Sequence, residues 1–283
     1  MAVKVALLRP KILVNRSEGT TLGPYFKFST ILVNVKEFDK IFTHMIIAHL
    51  QKQSLIEYPG KISAVIFLAG CNLRCSFCYV PQLVLPQEIK KTKPIPQGKI
   101  FQFLKERKNF LEGVAITGGE PTINRELPDF IKRIKSLGYL VELETNGTNP
   151  RMLETLISKK LLDYVAMDIK QSLDDFEKYK QITGKVLTKK MFENIKKSIE
   201  ILLKGKVDYE FRTTLVKEFH KKEDILKICQ KIKDAKIYFL QNYQKIGGKT
   251  VSGQEFTPFL EKEILEMIDE GKKYVRIKFR SYL

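Results

Sequence analysis

The sequence predicts an α/β fold built on a parallel sheet. Six short runs rich in β-branched and other apolar residues alternate with segments whose apolar residues recur every three or four positions, the period of a helix that faces a core. Strands that alternate with helices are typical of parallel sheets joined by right-handed crossovers, either doubly wound or curled into a barrel. The strands are predicted near residues 62–68, 113–117, 139–145, 163–168, 206–214 and 236–241.

The helices between these strands are marked by their ends and their apolar faces. Asn124 is predicted to cap a helix that ends at Gly138, and Asn149 with Pro150 to open the next. Thr257-Pro258 is predicted to start the last helix. The expected buried faces are Leu127, Phe130, Ile131 and Ile134; Leu153, Leu156 and Ile157; Phe192, Ile195, Ile199 and Leu202; and Leu260, Ile264 and Ile268, with Gly271 after the last and a possible edge strand at Val275, Ile277 and Phe279.

The composition indicates an intracellular enzyme. A chain of 283 residues can form one large domain or two small ones. No signal peptide or transmembrane stretch is visible, so we expect a cytoplasmic protein with no membrane partner and no disulfide bonds. The formal charge of +18 is mostly lysine, since 10 of the 50 basic residues are arginine. The lysines are spread over helices, which favours a solvated surface over a nucleic-acid site and would attract an acidic electron donor or protein substrate.

Three of the four cysteines, Cys71, Cys75 and Cys78, lie within eight residues. An odd number of thiols on one loop does not fit disulfide bonding, and structural zinc needs four ligands, of which no fourth is near in the sequence. Three thiolates can instead hold three corners of a [4Fe–4S] cluster and leave the fourth iron open to a substrate. The spacing favours this cluster over zinc or inert thiols. Cys229 repeats at helical spacing with three isoleucines and is expected to be a buried apolar residue.

Polar residues follow nearly every predicted strand. Ligands of parallel sheets bind at the carboxyl ends of the strands, which meet at one edge. We therefore expect one composite site, although each group alone is also typical of a turn or a surface ion pair. The groups are the three cysteines after the first strand, Thr117 to Pro121 after the second, Glu144 to Gly147 at the third, Asp168 and Lys170 at the fourth, Arg212 to Thr214 in the fifth, and Gln241 to Gln244 after the sixth.

These residue types suit an amino-acid ligand beside an open iron. Gly118 and Gly119 would let backbone approach a ligand, and Glu120 would accept hydrogen bonds from an ammonium group. Lys170 and Arg212 can neutralise a carboxylate.

The remaining polar groups suit a nucleoside. Glu144 and Asp168 could hold ribose hydroxyls or a bound cation. Asn146 and Gln244 are neutral hydrogen-bonding groups that fit hydroxyls or the edge of an adenine.

The motif Cys71-x-x-x-Cys75-x-x-Cys78, followed by Gly-Gly-Glu-Pro at residues 118–121, resembles radical S-adenosylmethionine (SAM) enzymes. The resemblance runs from residue 45 to about residue 245. It implies a partial (β/α)6 TIM-type barrel, a [4Fe–4S] cluster and SAM as cofactors. It also implies reductive cleavage of SAM to a 5′-deoxyadenosyl radical that abstracts a hydrogen atom.

The lead-in at residues 54–63 and 67–72 is similar to the start of glycyl-radical-enzyme activases, most of all those of anaerobic ribonucleoside-triphosphate reductase. This resemblance implies that the hydrogen comes from a backbone glycine of a large partner enzyme. The chain lacks the extra cysteines of activases that carry a ferredoxin-like insert. A reduced flavodoxin or ferredoxin is therefore expected as the electron donor, and nucleic acid is not an expected partner.

The residue types and the resemblance together give the predicted site residues. Cys71, Cys75 and Cys78 are the expected cluster ligands and catalytic residues. The expected SAM contacts are Phe77, Cys78, Tyr79, Gly118, Gly119, Glu120, Asn146, Asp168, Ile169, Lys170, Arg212 and Gln244, and the residues expected around a monovalent cation are Glu144, Thr145 and Asp168.

The first 44 residues do not share this resemblance. Activases of this type usually begin shortly before the similar lead-in, and Met45 falls at that distance. We expect residues 1–44 to be an N-terminal extension, with Met45 as the native start, and residues 45–283 to form the barrel domain.

Three functions remain open. The first is the activase, whose substrate is a protein. The second is a radical SAM enzyme that acts on a small molecule or on tRNA, such as a deazapurine synthase. The third is a zinc-bound interaction module without catalysis.

Overall fold

A computed structural model describes residues 44–245 and 248–281. Its strands form one sheet in which the spatial order is the chain order, β1 to β8. β1 is antiparallel to β2, and every later pair is parallel. The strands are β1 (Ile46–Ser54), β2 (Ser63–Ala69), β3 (Gly113–Gly118), β4 (Leu140–Thr145), β5 (Tyr164–Asp168), β6 (Asp208–Leu215), β7 (Tyr238–Asn242) and β8 (Ile277–Arg280).

Helices follow each strand from β2 to β7, which makes six βα units. The predicted partial TIM-type barrel is confirmed, with β1 and β8 added at its two edges. The helices are α1 (Pro81–Val84), α2 (Pro86–Ile89), α3 (Gln97–Glu106), α4 (Leu127–Ser136), α5 (Pro150–Ser158), α6 (Phe176–Thr183), α7 (Lys189–Leu203), α8 (Lys222–Lys231) and α9 (Glu261–Gly271), with a 3-10 turn at Pro121–Ile123. In the described part of the chain, no helix has the length and apolar character needed to cross a bilayer. The predicted extension lies outside the described residues, apart from His44.

The strand predictions agree with the structure to within about two residues. No strand is predicted before residue 62, yet β1 covers Ile46–Ser54. β1 is an edge strand that exposes polar residues, and its register with β2 shifts between Ile47 and His49 and again between Gln51 and Ser54. These irregularities break the alternation on which a strand prediction depends.

The expected helix faces pack against the barrel, and Cys229 is buried in the same core as predicted. One predicted cap is wrong. The side-chain amide of Asn124 donates to the Pro121 carbonyl at 3.0 Å, and α4 begins only at Leu127. Asn149 does cap α5, where its side chain accepts a hydrogen bond from the Met152 N–H.

The start of the last helix is also wrong by several residues. The Thr257 N–H donates to the Glu218 carboxylate, and the Phe259 N–H donates to Asn242 Oδ1 at 3.0 Å. Because these bonds tie the segment to the loops after β6 and β7, α9 cannot begin before residue 261. Leu260 therefore precedes the helix and is 67% exposed instead of buried.

The interior of the barrel is unusually polar. Strands buried on both faces normally carry apolar residues throughout, but β4 and β6 place glutamates inside. Arg280 on β8 makes two hydrogen bonds to Glu210, and the Tyr164 hydroxyl donates to the same carboxylate at 2.8 Å. Glu142 is fully buried, and among residues 44–245 and 248–281 neither of its carboxylate oxygens finds a hydrogen-bond partner. Burial, reinforced by the negative charge of Glu144, raises the pKa of Glu142 well above its usual value.

Glu142→Gln tests this assignment through the pH dependence of stability. The raised pKa means that unfolded Glu142 loses its proton at a lower pH than folded Glu142, so the wild type loses stability as pH rises above about 4.5. We expect equal free energies of unfolding near pH 4.5, and an advantage for the variant that grows by up to about 1.4 kcal/mol per pH unit above it. Urea unfolding at pH 4.5 to 8 measures this.

The matched control is Glu154→Gln on the exposed side of α5. It should shift stability by less than about 0.5 kcal/mol at every pH. A difference between wild type and Glu142→Gln that does not change with pH would contradict the neutral, buried state of Glu142.

Candidate active site

A cavity of about 430 Å³ lies at the carboxyl ends of the strands. The loop after β2 lines it with all three clustered thiols, of which Cys71 and Cys75 are buried and Cys78 is partly exposed. The loops after β3 to β7 supply the other walls, so the predicted composite site is assembled. The predicted site residues in its lining are Cys71, Cys75, Phe77, Cys78, Tyr79, Gly118, Gly119, Glu120, Glu144, Thr145, Asn146, Asp168, Lys170, Arg212 and Gln244.

The cysteine loop is held by hydrogen bonds within the loop, from its backbone and from the Arg74 side chain. The Cys78 N–H donates to the Cys75 carbonyl at 3.0 Å. The guanidinium of Arg74 donates to the carbonyls of Cys71 and Leu73 at 2.6 and 2.7 Å. Because these bonds fix the turns between the cysteines, the loop can present its three thiols to one cavity.

Gly118 and Gly119 set the distance between the loops after β2 and β3. The Gly119 N–H donates to the Leu68 carbonyl at 2.8 Å. A Cβ on Gly118 would lie 2.2 Å from the Leu68 carbonyl oxygen, and one on Gly119 would lie 2.0 Å from that of Gly70. Glycine is required at these positions because backbone packs against backbone, in addition to the predicted approach of a ligand.

Glu120 lies at the cavity wall but is only 1% exposed. Its carboxylate accepts hydrogen bonds from the backbone N–H and hydroxyl of Thr122, from the Thr145 hydroxyl at 2.7 Å and from the Asn146 N–H at 2.7 Å. Three of these hydrogen bonds reach Oε1 and one reaches Oε2, so only Oε2 has room for the predicted ammonium group. In this structure Glu120 joins the loops after β3 and β4.

Asn146 extends this network to the cysteine loop. Its side-chain amide donates to Asn72 Oδ1 at 3.0 Å, and Asn72 in turn donates to the Thr148 hydroxyl at 2.8 Å. The predicted contact of Asn146 with an adenine or hydroxyl would have to share these groups. The observed role of the side chain is to connect the loops after β2 and β4.

Four charged side chains form a chain of ion pairs across the cavity floor. Arg212 donates from Nη1 to Glu144 at 2.8 Å and from Nε to Asp168 at 3.2 Å, and Lys170 Nζ lies 2.6 Å from Asp168. Burial alone would lower the pKa of Arg212, but the two carboxylates raise it well above its usual value. Burial would raise the pKa of Asp168, but Lys170 and Arg212 lower it. All four groups are therefore charged at neutral pH.

The monovalent-cation site stays a prediction, and its three residues bind protein groups in this structure. The Arg212 guanidinium lies between Glu144 and Asp168, where the cation was expected. The Thr145 hydroxyl points instead to Glu120. Within residues 44–245 and 248–281, no group of three or more His, Cys, Asp or Glu side chains is arranged to hold a single metal ion.

Ile169 is the predicted site residue that the cavity lining does not include. It is fully buried, its N–H donates to the Arg212 carbonyl, and its carbonyl accepts from the Thr213 hydroxyl. Because both backbone groups are bonded to β6, a contact of Ile169 with SAM is not supported. Phe77 is buried in the wall, while Tyr79 and Gln244 are exposed at the margin.

Glu57 is a cavity residue that was not predicted as part of the site. Burial, followed by the negative charge of Glu144, raises the pKa of Glu57 to about 7. The sequence signal that could have identified Glu57 as a site residue is its place in the lead-in that resembles activases. It was missed because Glu57 does not follow the carboxyl end of a predicted strand.

His220 and Tyr179 were also missed. The Tyr179 hydroxyl accepts a hydrogen bond from the Lys170 N–H at 3.1 Å, and His220 Nε2 lies 2.9 Å from the Lys170 carbonyl. Burial lowers the pKa of His220, so the ring is neutral and can donate from Nε2 while Nδ1 accepts from the Val216 N–H. Both residues position the backbone of Lys170, and only the fold brings them there.

Comparison with protein families shows which family the chain belongs to. The model of the radical SAM superfamily matches residues 65–231, which is more than half of the chain. The chain belongs to the radical SAM superfamily. Members of this superfamily bind a [4Fe–4S] cluster and SAM, so this radical SAM protein has these two cofactors.

Curated relatives carry different activities. A Methanocaldococcus jannaschii protein with the provisional name glycyl-radical enzyme activating enzyme is 35% identical over 236 residues, 78% of this chain and 90% of its own. The pyruvate formate-lyase-activating enzyme of Clostridium pasteurianum is 30% identical, with 70% and 78% covered. The 7-carboxy-7-deazaguanine synthase of Aquifex aeolicus is 28% identical, with 62% and 81% covered. Among solved structures, TYW1 with a lysine-pyruvate adduct bound has a TM-score of 0.55 at 20% identity, with 75% of this chain and 74% of that chain covered, which shows the shared fold.

The residues present fit the two cofactors. Each thiolate of a [4Fe–4S] cluster binds a different iron, so the three thiols need to surround a cavity and not to converge on one ion, as zinc would require. The cysteine loop meets this condition. Ion pairs between Lys170, Arg212 and two carboxylates offer both signs of charge for a zwitterionic ligand beside it.

Cys75→Ala should remove iron without unfolding the barrel, because the thiol lines the cavity as a proposed cluster ligand and the change deletes only one sulfur atom from the loop. We expect anaerobically reconstituted wild type to bind about four irons per chain and the variant to bind close to none. Cys229→Ala is the matched control, since that thiol is buried in the helix layer and should leave the iron content unchanged. Iron analysis and visible absorption measure both variants. Wild-type iron in Cys75→Ala would refute the ligand assignment.

Glu120→Gln should destabilise the site loops, because an amide nitrogen cannot accept the hydrogen bonds that the carboxylate accepts. The expected loss is about 1.5–3 kcal/mol in the free energy of unfolding, together with weaker SAM binding. Glu154→Gln should change neither quantity. Urea unfolding and equilibrium SAM binding measure the two quantities. Weaker SAM binding at unchanged stability would instead favour the direct contact of Glu120 with the ammonium group that the sequence predicts.

Proposed function

We propose that this radical SAM enzyme is an activase that abstracts a hydrogen atom from a backbone glycine of a glycyl-radical enzyme. The observation that carries the proposal is the 35% identity to the Methanocaldococcus relative over most of both chains. The similar lead-in at residues 54–63 supports anaerobic ribonucleoside-triphosphate reductase as the partner. A reduced flavodoxin or ferredoxin is the proposed electron donor.

The size and margin of the cavity support a protein substrate. Ligand pockets typically measure about 300–1,000 Å³, and this cavity of about 430 Å³ must hold the nucleoside as well as face the cluster. A glycine presents its Cα–H bonds without a side chain, so it needs little additional room. Ile56 and Tyr79 line the cavity and are 56% and 55% exposed, which gives an entering peptide segment an apolar edge to pack against.

The proposed roles of the chain's residues follow from their positions. The cofactors, when bound, supply one-electron cleavage of a carbon–sulfur bond and the hydrogen abstraction that follows. Cys71, Cys75 and Cys78 would hold three irons. Lys170 and Arg212 would bind and orient the methionine carboxylate of SAM. Their present partners Glu144 and Asp168 would accept hydrogen bonds from the ribose hydroxyls of SAM.

A radical SAM enzyme with a small-molecule substrate is the second candidate. The similarity to 7-carboxy-7-deazaguanine synthase over 62% of the chain favours it. The cavity would then hold the substrate together with the nucleoside, and no partner protein would be needed.

The test is electron paramagnetic resonance of the complete reaction. Cluster-loaded protein, SAM, a photochemical reductant and the host's glycyl-radical enzyme are mixed without oxygen. We expect a glycine-centred doublet, because hydrogen abstraction from a glycine leaves the unpaired electron on its Cα. Omission of SAM or use of Cys75→Ala should abolish the doublet. Consumption of SAM without a doublet, for every glycyl-radical enzyme of the host, would contradict the proposal. SAM cleavage that is stimulated by an added small-molecule substrate in place of the partner enzyme would support the second candidate.

A further inference from the structure

The cysteine loop has an outer face that the cavity does not use. Residues 71, 73, 75 and 77 line the cavity, while Arg74 and Ser76, which alternate with them, do not. The Arg74 N–H donates to the Thr183 carbonyl at 2.8 Å, and the Ser76 N–H donates to the Ile182 carbonyl at 3.1 Å. The segment that follows α6 therefore lies directly on the back of the loop that would hold the cluster.

Close packing continues beyond these two bonds. Gly184 has a φ of +88°, and a Cβ at this position would lie 2.9 Å from both the Cβ and the carbonyl oxygen of Arg74. The connection between α6 and α7 is thus separated from the cluster loop by backbone alone. An electron carrier placed on this connection would be close to the cluster.

The exposed side of this connection is cationic. Residues 178–192 contain five lysines and no acidic residue. Lys185, Lys189 and Lys190 are exposed, and in the described part of the chain none of them is paired with a carboxylate. Val186, in the same segment, is an exposed apolar residue at 40%. We call Lys185, Val186, Lys189 and Lys190 the lysine surface.

The other segment that covers the cysteine loop has no such charge. The Val251 N–H donates to the Cys78 carbonyl at 2.8 Å, and the Ser252 N–H to the Ser76 carbonyl at 3.2 Å. Its exposed neighbours Lys249 and Glu255 have opposite charges. Of the two described segments whose backbone is bonded to Arg74, Ser76 or Cys78 from behind, the connection from α6 to α7 is the one that would attract an anionic protein.

The position of the lysine surface favours an electron carrier over a nucleic acid. A nucleic-acid substrate would have to place its reacting base in the cavity, and no residue between 178 and 192 lines that cavity. An electron carrier has only to approach the cluster closely and does not have to enter the cavity. A carrier bound to the lysine surface would approach the cluster from the outer face of the cysteine loop, while cofactor and substrate occupy the cavity. Transient electron-transfer interfaces are small and are steered by complementary surface charge, which this surface offers to an anionic carrier.

We propose that the lysine surface docks an acidic one-electron carrier protein of the flavodoxin type. This inference rests on the electron donor included in the proposed function. In the transfer the flavin hydroquinone of the carrier is oxidised to its semiquinone, and the [4Fe–4S] cluster is reduced from the 2+ to the 1+ state. No bond to the cluster forms or breaks.

The test is a triple variant, Lys185→Gln with Lys189→Gln and Lys190→Gln. Cluster-loaded protein is mixed with flavodoxin hydroquinone, and bleaching of the cluster absorption is followed by stopped flow. At low ionic strength we expect the second-order rate to fall about tenfold or more, and the loss to shrink as salt is added, because steering by surface charge is screened. Calorimetry with oxidised flavodoxin should show a matching loss of affinity.

Two controls separate docking from other effects. The variant Lys99→Gln with Lys105→Gln and Lys132→Gln removes the same charge from exposed sites on α3 and α4 and should keep the wild-type rate. Reduction of the triple variant by photoreduced deazaflavin, a small molecule, should be unchanged and shows that the cluster is intact.

Wild-type rate and affinity for flavodoxin in the Lys185, Lys189 and Lys190 variant would overturn the inference. Retained reduction by flavodoxin together with lost binding of tRNA would also overturn it and assign the surface to nucleic acid. Neither measurement needs the partner enzyme. If no glycyl radical forms but reduction still depends on these lysines, the proposed function fails and the docking surface stands.

Discussion

The buried carboxylate of Glu120 is the interaction on which the geometry of the site depends. It accepts hydrogen bonds from the loops after β3 and β4, and through Asn146 the same network reaches Asn72 in the cysteine loop. Three loops from three parallel strands are thereby held as one wall. A carboxylate with four donors is well suited to this task, because each charge-assisted bond is stronger than a neutral one and all donors are kept from water. The close backbone contacts of Gly118 and Gly119 complete the wall.

The barrel interior shows how charge can be accommodated inside a parallel sheet. Arg212 on β6 pairs with Glu144 on β4, and Arg280 on β8 pairs with Glu210 on β6, so each ion pair spans the strand between its two partners. Most of the buried charge is neutralised in this way. Glu142 is left without a partner, and the structure is consistent with it being uncharged. The ion pairs of Arg212 and Lys170 with Glu144 and Asp168 line the cavity, where a zwitterionic ligand could exchange partners with them. A site built from ion pairs can thus bind a ligand of mixed charge without leaving unpaired groups before it arrives.

The sequence was sufficient for the six βα units and for most of the polar residues that line the cavity, because both follow from periodicity and from one rule. Carboxyl ends of parallel strands meet, so Cys71, Gly118, Glu144, Asp168 and Arg212 had to converge. It was not sufficient for partners within the site. Whether Glu120 faces a ligand or neighbouring loops, or whether Arg212 takes the place of a cation, depends on side-chain directions that spacing does not determine. β1 and the late start of α9 were missed because edge pairing and bonds to distant loops overrode local patterns.

The central claim is that the cysteine loop and the cavity in front of it form a radical SAM site. The most direct measurement is the yield of 5′-deoxyadenosine from cluster-loaded protein, SAM and a strong reductant in the absence of oxygen. We predict 5′-deoxyadenosine and methionine in equal amounts, formed only when the cluster is reduced. Protein that carries its full complement of iron, binds SAM and is fully reduced, yet forms no 5′-deoxyadenosine, would contradict the claim.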